Sequence, residues 1–166
     1  SASGEDVGLQ AGKPGNSEAG HMNLGAGRVV LQDDQRLTRA IAQGTFRQNP
    51  VLREAVDRCR QGHALHLLAY LTKDSSHGSI DYALELCRMA KGLPEVYLHI
   101  IFDGRSTPPG SAPRLLQELG SALEEIGTGQ IVGGAGRGYV LDRDKNYPRV
   151  KAAYDAMVEG SGSHYI

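Results

Sequence analysis

Only two cysteines occur in the 166 residues, too few for a disulfide framework. Cys59 and Cys87 each fall on an apolar helical face and read as reduced core thiols. No apolar run approaches the ~20 residues that span a bilayer, and no secretory signal is visible. A spanning helix is thereby excluded, and a reducing, cytoplasmic location is expected. Net charge is also lacking, with 18 Lys and Arg against 19 Asp and Glu. That removes any global electrostatic case for nucleic acid or an anionic membrane as partner. A small anion would need a local basic cluster instead. Internal repeats, coiled-coil heptads and low-complexity tracts are missing too. What remains is 40% hydrophobic and 22% charged, ordinary for a soluble globular protein. The length suits one domain able to bury a sizeable core.

Residues 1–28 are glycine-rich with almost no periodicity. They read as loop, apart from one helical turn near Ser17. Val29–Leu31 reads as a short strand or a lead into the next element. Asp33 or Asp34 can cap a helix carrying Leu37, Ala40 and Ile41. Asn49 caps a second helix with Pro50 in its first turn and Leu52, Ala55, Val56 and Cys59 in one stripe. From residue 64 onward, strand, loop and helix alternate three times. The strands are predicted over 64–71, 96–102 and 130–132, the first as a buried one. Ser79 and Ser111 cap the helices between them, and a last helix carries Tyr147, Val150, Tyr154 and Met157. This alternation predicts an α/β fold with three layers, a mainly parallel sheet and helices on both faces. The organisation expected is a serine-bearing segment over 1–28 and an α/β domain over 29–166.

Ligand sites in such sheets lie at the carboxyl ends of the strands. Three polar loops fall there: Thr72–Gly78, Asp103–Thr107 and Gly133–Asp144. The first offers His77, either a phosphate binder and proton shuttle or an exposed polar residue. The second offers Arg105, whose guanidinium either forks onto an anion or braces Asp103. The third holds Arg137 and Arg143, six residues apart. They suit the two sides of a doubly anionic ligand, although Asp142-Arg143-Asp144-Lys145 also reads as a solvated charge cluster. His66, His99, Tyr70 and Tyr97 lie inside strands and read as packed or hydrogen-bonded core residues. The stretch Gly15-Asn16-Ser17-Glu18-Ala19-Gly20-His21 supplies a possible nucleophile in Ser17, which would need a base or a metal to activate it. It reads equally as a structural turn, with His21 bracing it.

Taken together, these blocks resemble the cofactor-independent (2,3-bisphosphoglycerate-independent) phosphoglycerate mutases, in the family's order and from near residue 2 to the end. The resemblance rests on Gly15–His21, the His77 loop, Asp103-Gly104-Arg105-Ser106-Thr107-Pro108-Pro109, and Gly136–Lys145. It implies that Ser17 accepts the phosphoryl group and that His77, Arg105, Arg137 and Arg143 bind phosphoglycerate. It also implies two divalent metals, manganese in kind, on a phosphatase-like domain, with Ser17 as a ligand only when that domain is present. The family's enzyme is several times longer, so the chain reads as the substrate-binding part of it, with no metal expected on it alone. Two departures stand out. The family loop Gly-Gly-Val-His-Ser-His is altered around His77. The family's proton-moving aspartate is here Ser106, and a hydroxyl cannot do a carboxylate's base work near neutrality. Three readings stay open: a mutase portion inactive by itself, a paralogue acting on another phosphorylated or phosphonate acid, and a non-catalytic binding module.

Overall fold

The computed structural model describes residues 2–73, 75 and 78–163. They fall into two compact units, Ser1–Arg53 and Glu54–Ile166.

The first unit is more helical than its sequence suggests. A 3-10 turn over Gly4–Val7 precedes helix α1, Ser17–Ala26, which runs ten residues rather than the single turn expected. Its start is set by Asn16, whose side-chain oxygen accepts the Ala19 N–H at 2.8 Å. That satisfies one of the donors a helix otherwise leaves unpaired. Met22 and Leu24 stay exposed, so α1 has no apolar stripe for periodicity to reveal. No strand forms at Val29–Leu31. The amides there are taken locally: Val30 N–H donates to the Asn23 side chain at 2.7 Å and Gln32 N–H to Gly8 O at 2.9 Å. Gly8 allows this because its φ is +81° and a Cβ there would lie 2.0 Å from Val30 O. Helix α2, Asp33–Ala42, carries both aspartates in its first turn, where the helix dipole favours them. Asn49 then caps α3, Pro50–Cys59, as expected, accepting the Val51 and Leu52 amides.

The second unit is an α/β layer. Strands β1 (Leu65–Leu71), β2 (Val96–Phe102) and β3 (Gln130–Gly136) form one parallel sheet in the order β1-β2-β3. Helices α4 (Ile80–Met89) and α5 (Ala112–Ile126) are the crossovers. The α/β class and parallel sheet are those the alternation predicts. Leu67, Ala69 and Leu71 of β1 and Leu98 and Ile100 of β2 join one core with Ala83, Leu84 and Cys87 of α4 and Leu119, Leu123 and Ile126 of α5. Each fully buried Leu or Ile there contributes about 2 kcal/mol.

The other side of β1 differs from the buried strand predicted. His66 is exposed and Leu68 is 59% exposed, while Tyr70 is buried. An apolar run does not reveal which of its residues gain cover. His66 is accordingly a surface group, hydrogen-bonded rather than packed in the core. Its Nδ1 lies 3.0 Å from His99 Nε2, with the two rings stacked. One nitrogen must be bare for that bond to form. Burial, and then the His66 charge, hold the His99 pKa below its ordinary value.

β3 is longer than the three residues predicted and runs through the glycines to Gly136. Glycine lowers strand propensity, but the β2 edge supplies the pairing. Leu98 faces Ile131 and His99 faces Gly133, so Val132 is an inserted bulge residue. Gly134 is required by space, since a Cβ would sit 2.7 Å from Phe102 Cε2 and 3.1 Å from Ile100 O. The short helix α6, Arg137–Val140, follows directly, then α7, Tyr147–Val158. The apolar stripe predicted for α7 is largely turned outward. Tyr147, Val150 and Tyr154 are exposed, and Ala153 is its buried residue.

Candidate active site

The carboxyl ends of all three strands meet in a buried polar knot. Tyr70 comes from β1, Asp103 follows β2 directly, and Arg137 opens α6 directly after β3. The Tyr70 hydroxyl donates to Asp103 Oδ1 at 2.6 Å. Arg137 Nη1 donates to the Tyr70 oxygen at 2.8 Å and to Asp103 Oδ1 at 3.0 Å. The other carboxylate oxygen accepts the Ser106 amide. The Asp103 side chain has no exposed surface, while that of Arg137 is 28% exposed.

This arrangement fixes the charges. Burial alone would raise the Asp103 pKa, but it is outweighed by hydrogen bonds from Tyr70, the Ser106 amide, Arg137 and the Arg105 amide. The net result is a carboxyl held below its ordinary range. Burial, then the hydrogen bond and charge of Asp103, push the Tyr70 phenol up to about 12. At neutral pH the knot is therefore an ionised Asp103, a neutral Tyr70 and a cationic Arg137.

Arg105, Ser106 and Arg137 are brought together around Asp103. The loop from Asp103 to Thr107 wraps the carboxylate and is closed by the Gly104 amide on the Thr107 hydroxyl at 3.2 Å. Arg105 contributes its amide to that wrap, while its residue is exposed. Its contact with Asp103 is through the backbone amide rather than the side-chain pair that bracing would need. Ser106 is half-buried. Arg143 is exposed in the turn before α7. There Asp142 accepts the Asn146 amide at 2.7 Å, and Lys145 takes a left-handed φ of +63°. Asp142 thus shapes the turn that carries Arg143. His77 lies outside the described residues.

Ser17 belongs to the first unit. It is the first residue of α1 and exposed. Gly15 lets the preceding chain pass, since a Cβ there would fall 2.1 Å from Ala2 O. His21 lies one turn on, its Nδ1 2.7 Å from Ser17 O and 3.2 Å from Ser17 Oγ. A carbonyl only accepts, so Nδ1 carries the hydrogen. That nitrogen cannot take the Ser17 proton in this arrangement, and His21 braces the first turn, as expected of it. Among the described residues, no three of His, Cys, Asp and Glu gather as a metal site. Ser17 and His21 alone are too few ligands for the divalent pair the resemblance implies.

Tyr70 is the residue that sequence reasoning did not place in the site, and Asp103 was placed there only as a brace for Arg105, not as the partner of Arg137. A tyrosine inside an apolar strand, one residue from its carboxyl end, is the available signal. Its hydroxyl needs a partner when buried.

Residues 37–165 match the family described as BPG-independent PGAM N-terminus (iPGM_N). The chain belongs to that family. It is 47% identical over 159 residues to a 2,3-bisphosphoglycerate-independent phosphoglycerate mutase of Methylobacillus flagellatus, covering 94% of this chain and 31% of that protein. A mutase of the same description from Clostridioides difficile is 45% identical over 163 residues, covering 97% and 32%. A phosphoglycerate mutase of Leishmania mexicana, crystallised at low cobalt concentration, superposes with a TM-score of 0.85 at 31% identity, covering 99% of this chain and 32% of that one. The chain thus spans about a third of the length of the relatives it matches. No helix among the described residues is long and apolar enough to cross a membrane.

Proposed function

We propose that this chain is the substrate-binding portion, with the serine segment, of a 2,3-bisphosphoglycerate-independent phosphoglycerate mutase. In the complete enzyme it would serve the interconversion of 3- and 2-phosphoglycerate in glycolysis and gluconeogenesis, in the cytoplasm. The observation that carries this reading is Arg137, anchored at the sheet's carboxyl edge with its side chain part-exposed. Arg105, Arg137 and Arg143 are the proposed anion holders, joined by His77. Their charges suit a ligand carrying both a phosphate and a carboxylate. Ser17 is the proposed phosphoryl acceptor. Its oxygen would lose its proton and bond to phosphorus as the substrate's phosphorus–oxygen bond breaks, the departing glycerate oxygen taking up a proton. In the return step the neighbouring glycerate hydroxyl would lose its proton and bond to that phosphorus as the Ser17 oxygen–phosphorus bond breaks and Ser17 is reprotonated.

The described residues do not by themselves make up a divalent-metal site, and no step is derived through one. The metal pair, manganese in this proposal, would belong to the phosphatase-like domain. With no base on Ser17 from His21 Nδ1, the chain alone is expected to turn over neither phosphoglycerate, even with added manganese. Turnover by the purified chain would contradict this.

Titration calorimetry with 2- and 3-phosphoglycerate tests the binding assignment. Binding that weakens in Arg105→Ala and Arg143→Ala supports it, and binding indifferent to both defeats it. Ser106 favours one second reading: a paralogue that binds another phosphorylated or phosphonate acid. A phosphonate acid that binds more tightly than either phosphoglycerate would select that reading.

A further inference from the structure

We propose that Tyr70 is a positioning residue: with Asp103 it fixes one end of the Arg137 guanidinium, so that the Nε–Nη2 edge is the one offered to an anionic ligand. This rests on the reading of Arg137 as an anion holder.

A guanidinium has five N–H donors in one plane. The two on Nη1 are used inward, on the Tyr70 oxygen at 2.8 Å and Asp103 Oδ1 at 3.0 Å. The three remaining, on Nε and Nη2, have no described partner, and the side chain is part-open. That edge matches two oxygens of a carboxylate or phosphate. The two inward bonds also remove the freedom to rotate about the long side chain, freedom a ligand would otherwise have to quench on binding.

Packing alone does not explain the hydroxyl. Residue 70 continues an apolar strand, and Phe would fill the same space. A buried hydroxyl is costly unless bonded. Tyr70 is bonded twice, donating to Asp103 at 2.6 Å and accepting from Arg137. Its phenol, raised to about 12, keeps its proton at any working pH, so the donation to Asp103 persists. Asp103 alone would hold Arg137 by one bond. Tyr70 adds the second, and two bonds to one nitrogen fix the plane of the group.

The test is Tyr70→Phe in the 166-residue chain. Nitrogen-15 relaxation at the Arg137 Nε–H should report a rigid group in the parent and a mobile one in the variant. The affinity for 3-phosphoglycerate should weaken about fivefold, the net worth of one hydrogen bond, with the backbone spectrum unchanged. Combined with Arg137→Ala, the Tyr70→Phe loss should vanish. An unchanged Arg137 relaxation, or a Tyr70→Phe loss that adds fully to that of Arg137→Ala, overturns the proposal. If the parent chain binds neither phosphoglycerate, the functional reading fails, and the relaxation comparison still decides the positioning claim. Should Tyr70→Phe perturb the fold, Tyr70→Leu, apolar and smaller than the buried ring it replaces, takes its place with the same relaxation readout and the same expected result.

Discussion

At Asp103 a single carboxylate serves two purposes, closing its own loop and holding an arginine from another strand. Removing it should therefore cost more than one hydrogen bond. Asp103→Ala leaves the buried Tyr70 hydroxyl and the Ser106 amide without their acceptor, while Arg137, part-exposed, can still reach water. A loss of about 2 kcal/mol is expected in urea unfolding. A loss near zero would mean that the knot adds nothing to stability. The same residues set a pH window. The folded Asp103 pKa lies below its unfolded value, so its contribution is complete above the ordinary carboxyl range, near pH 4. It is lost as pH falls through the folded value. The Tyr70 pKa is raised to about 12, so its contribution is complete below about pH 10 and is lost as pH climbs through the folded value. Unfolding free energy measured against pH should fall at both ends, and Tyr70→Phe should shrink both declines: the alkaline one to what other groups such as the buried Cys87 thiol, raised to about 11, still contribute, and the acid one because the Tyr70 hydroxyl helps to lower Asp103.

The elements show where sequence reading succeeds and where it stops. Strands β1 and β2 lie within a residue of their predicted limits, and helices α3 and α4 start where predicted because Asn49 and Ser79 cap as their chemistry requires. Ser111 fits the same rule by residue type, but its hydroxyl donates backward to Pro108 O at 2.6 Å and caps nothing. The misses have two causes, a tertiary partner in one case and a local cap without an apolar stripe in the other. β3 extends through glycines because β2 offers an edge to pair with. α1 forms without an apolar stripe because Asn16 starts it. Replacing Asn16 by Ala should cost about 1 kcal/mol and lower helicity by circular dichroism. Gly134→Ala should destabilise far more than Gly133→Ala, because a Cβ at 134 strikes Phe102 whereas one at 133 meets nothing. Equal melting points for the two would refute the bulge-and-approach account of β3. In the site, the arginines and Asp103 were legible from their loops, while Tyr70 and the pairing of Asp103 with Arg137 were not. Their roles depend on which strand ends lie side by side, and no spacing in the sequence states that.

At the scale of the molecule, the second unit presents arginines from two loops at the carboxyl end of a parallel sheet, one of them locked in place. The family membership and the fold are secured by the match over residues 37–165 and the mutase superposition. Anion binding at this edge is the central claim. The most direct test is a titration of the nitrogen-15-labelled chain with 3-phosphoglycerate, followed at backbone amides and arginine Nε–H groups. Saturable shifts at Arg105, Arg137, Arg143 and the amides of 103–107 are the predicted result. Shifts absent at millimolar ligand, or confined to residues away from the strand ends, would contradict it.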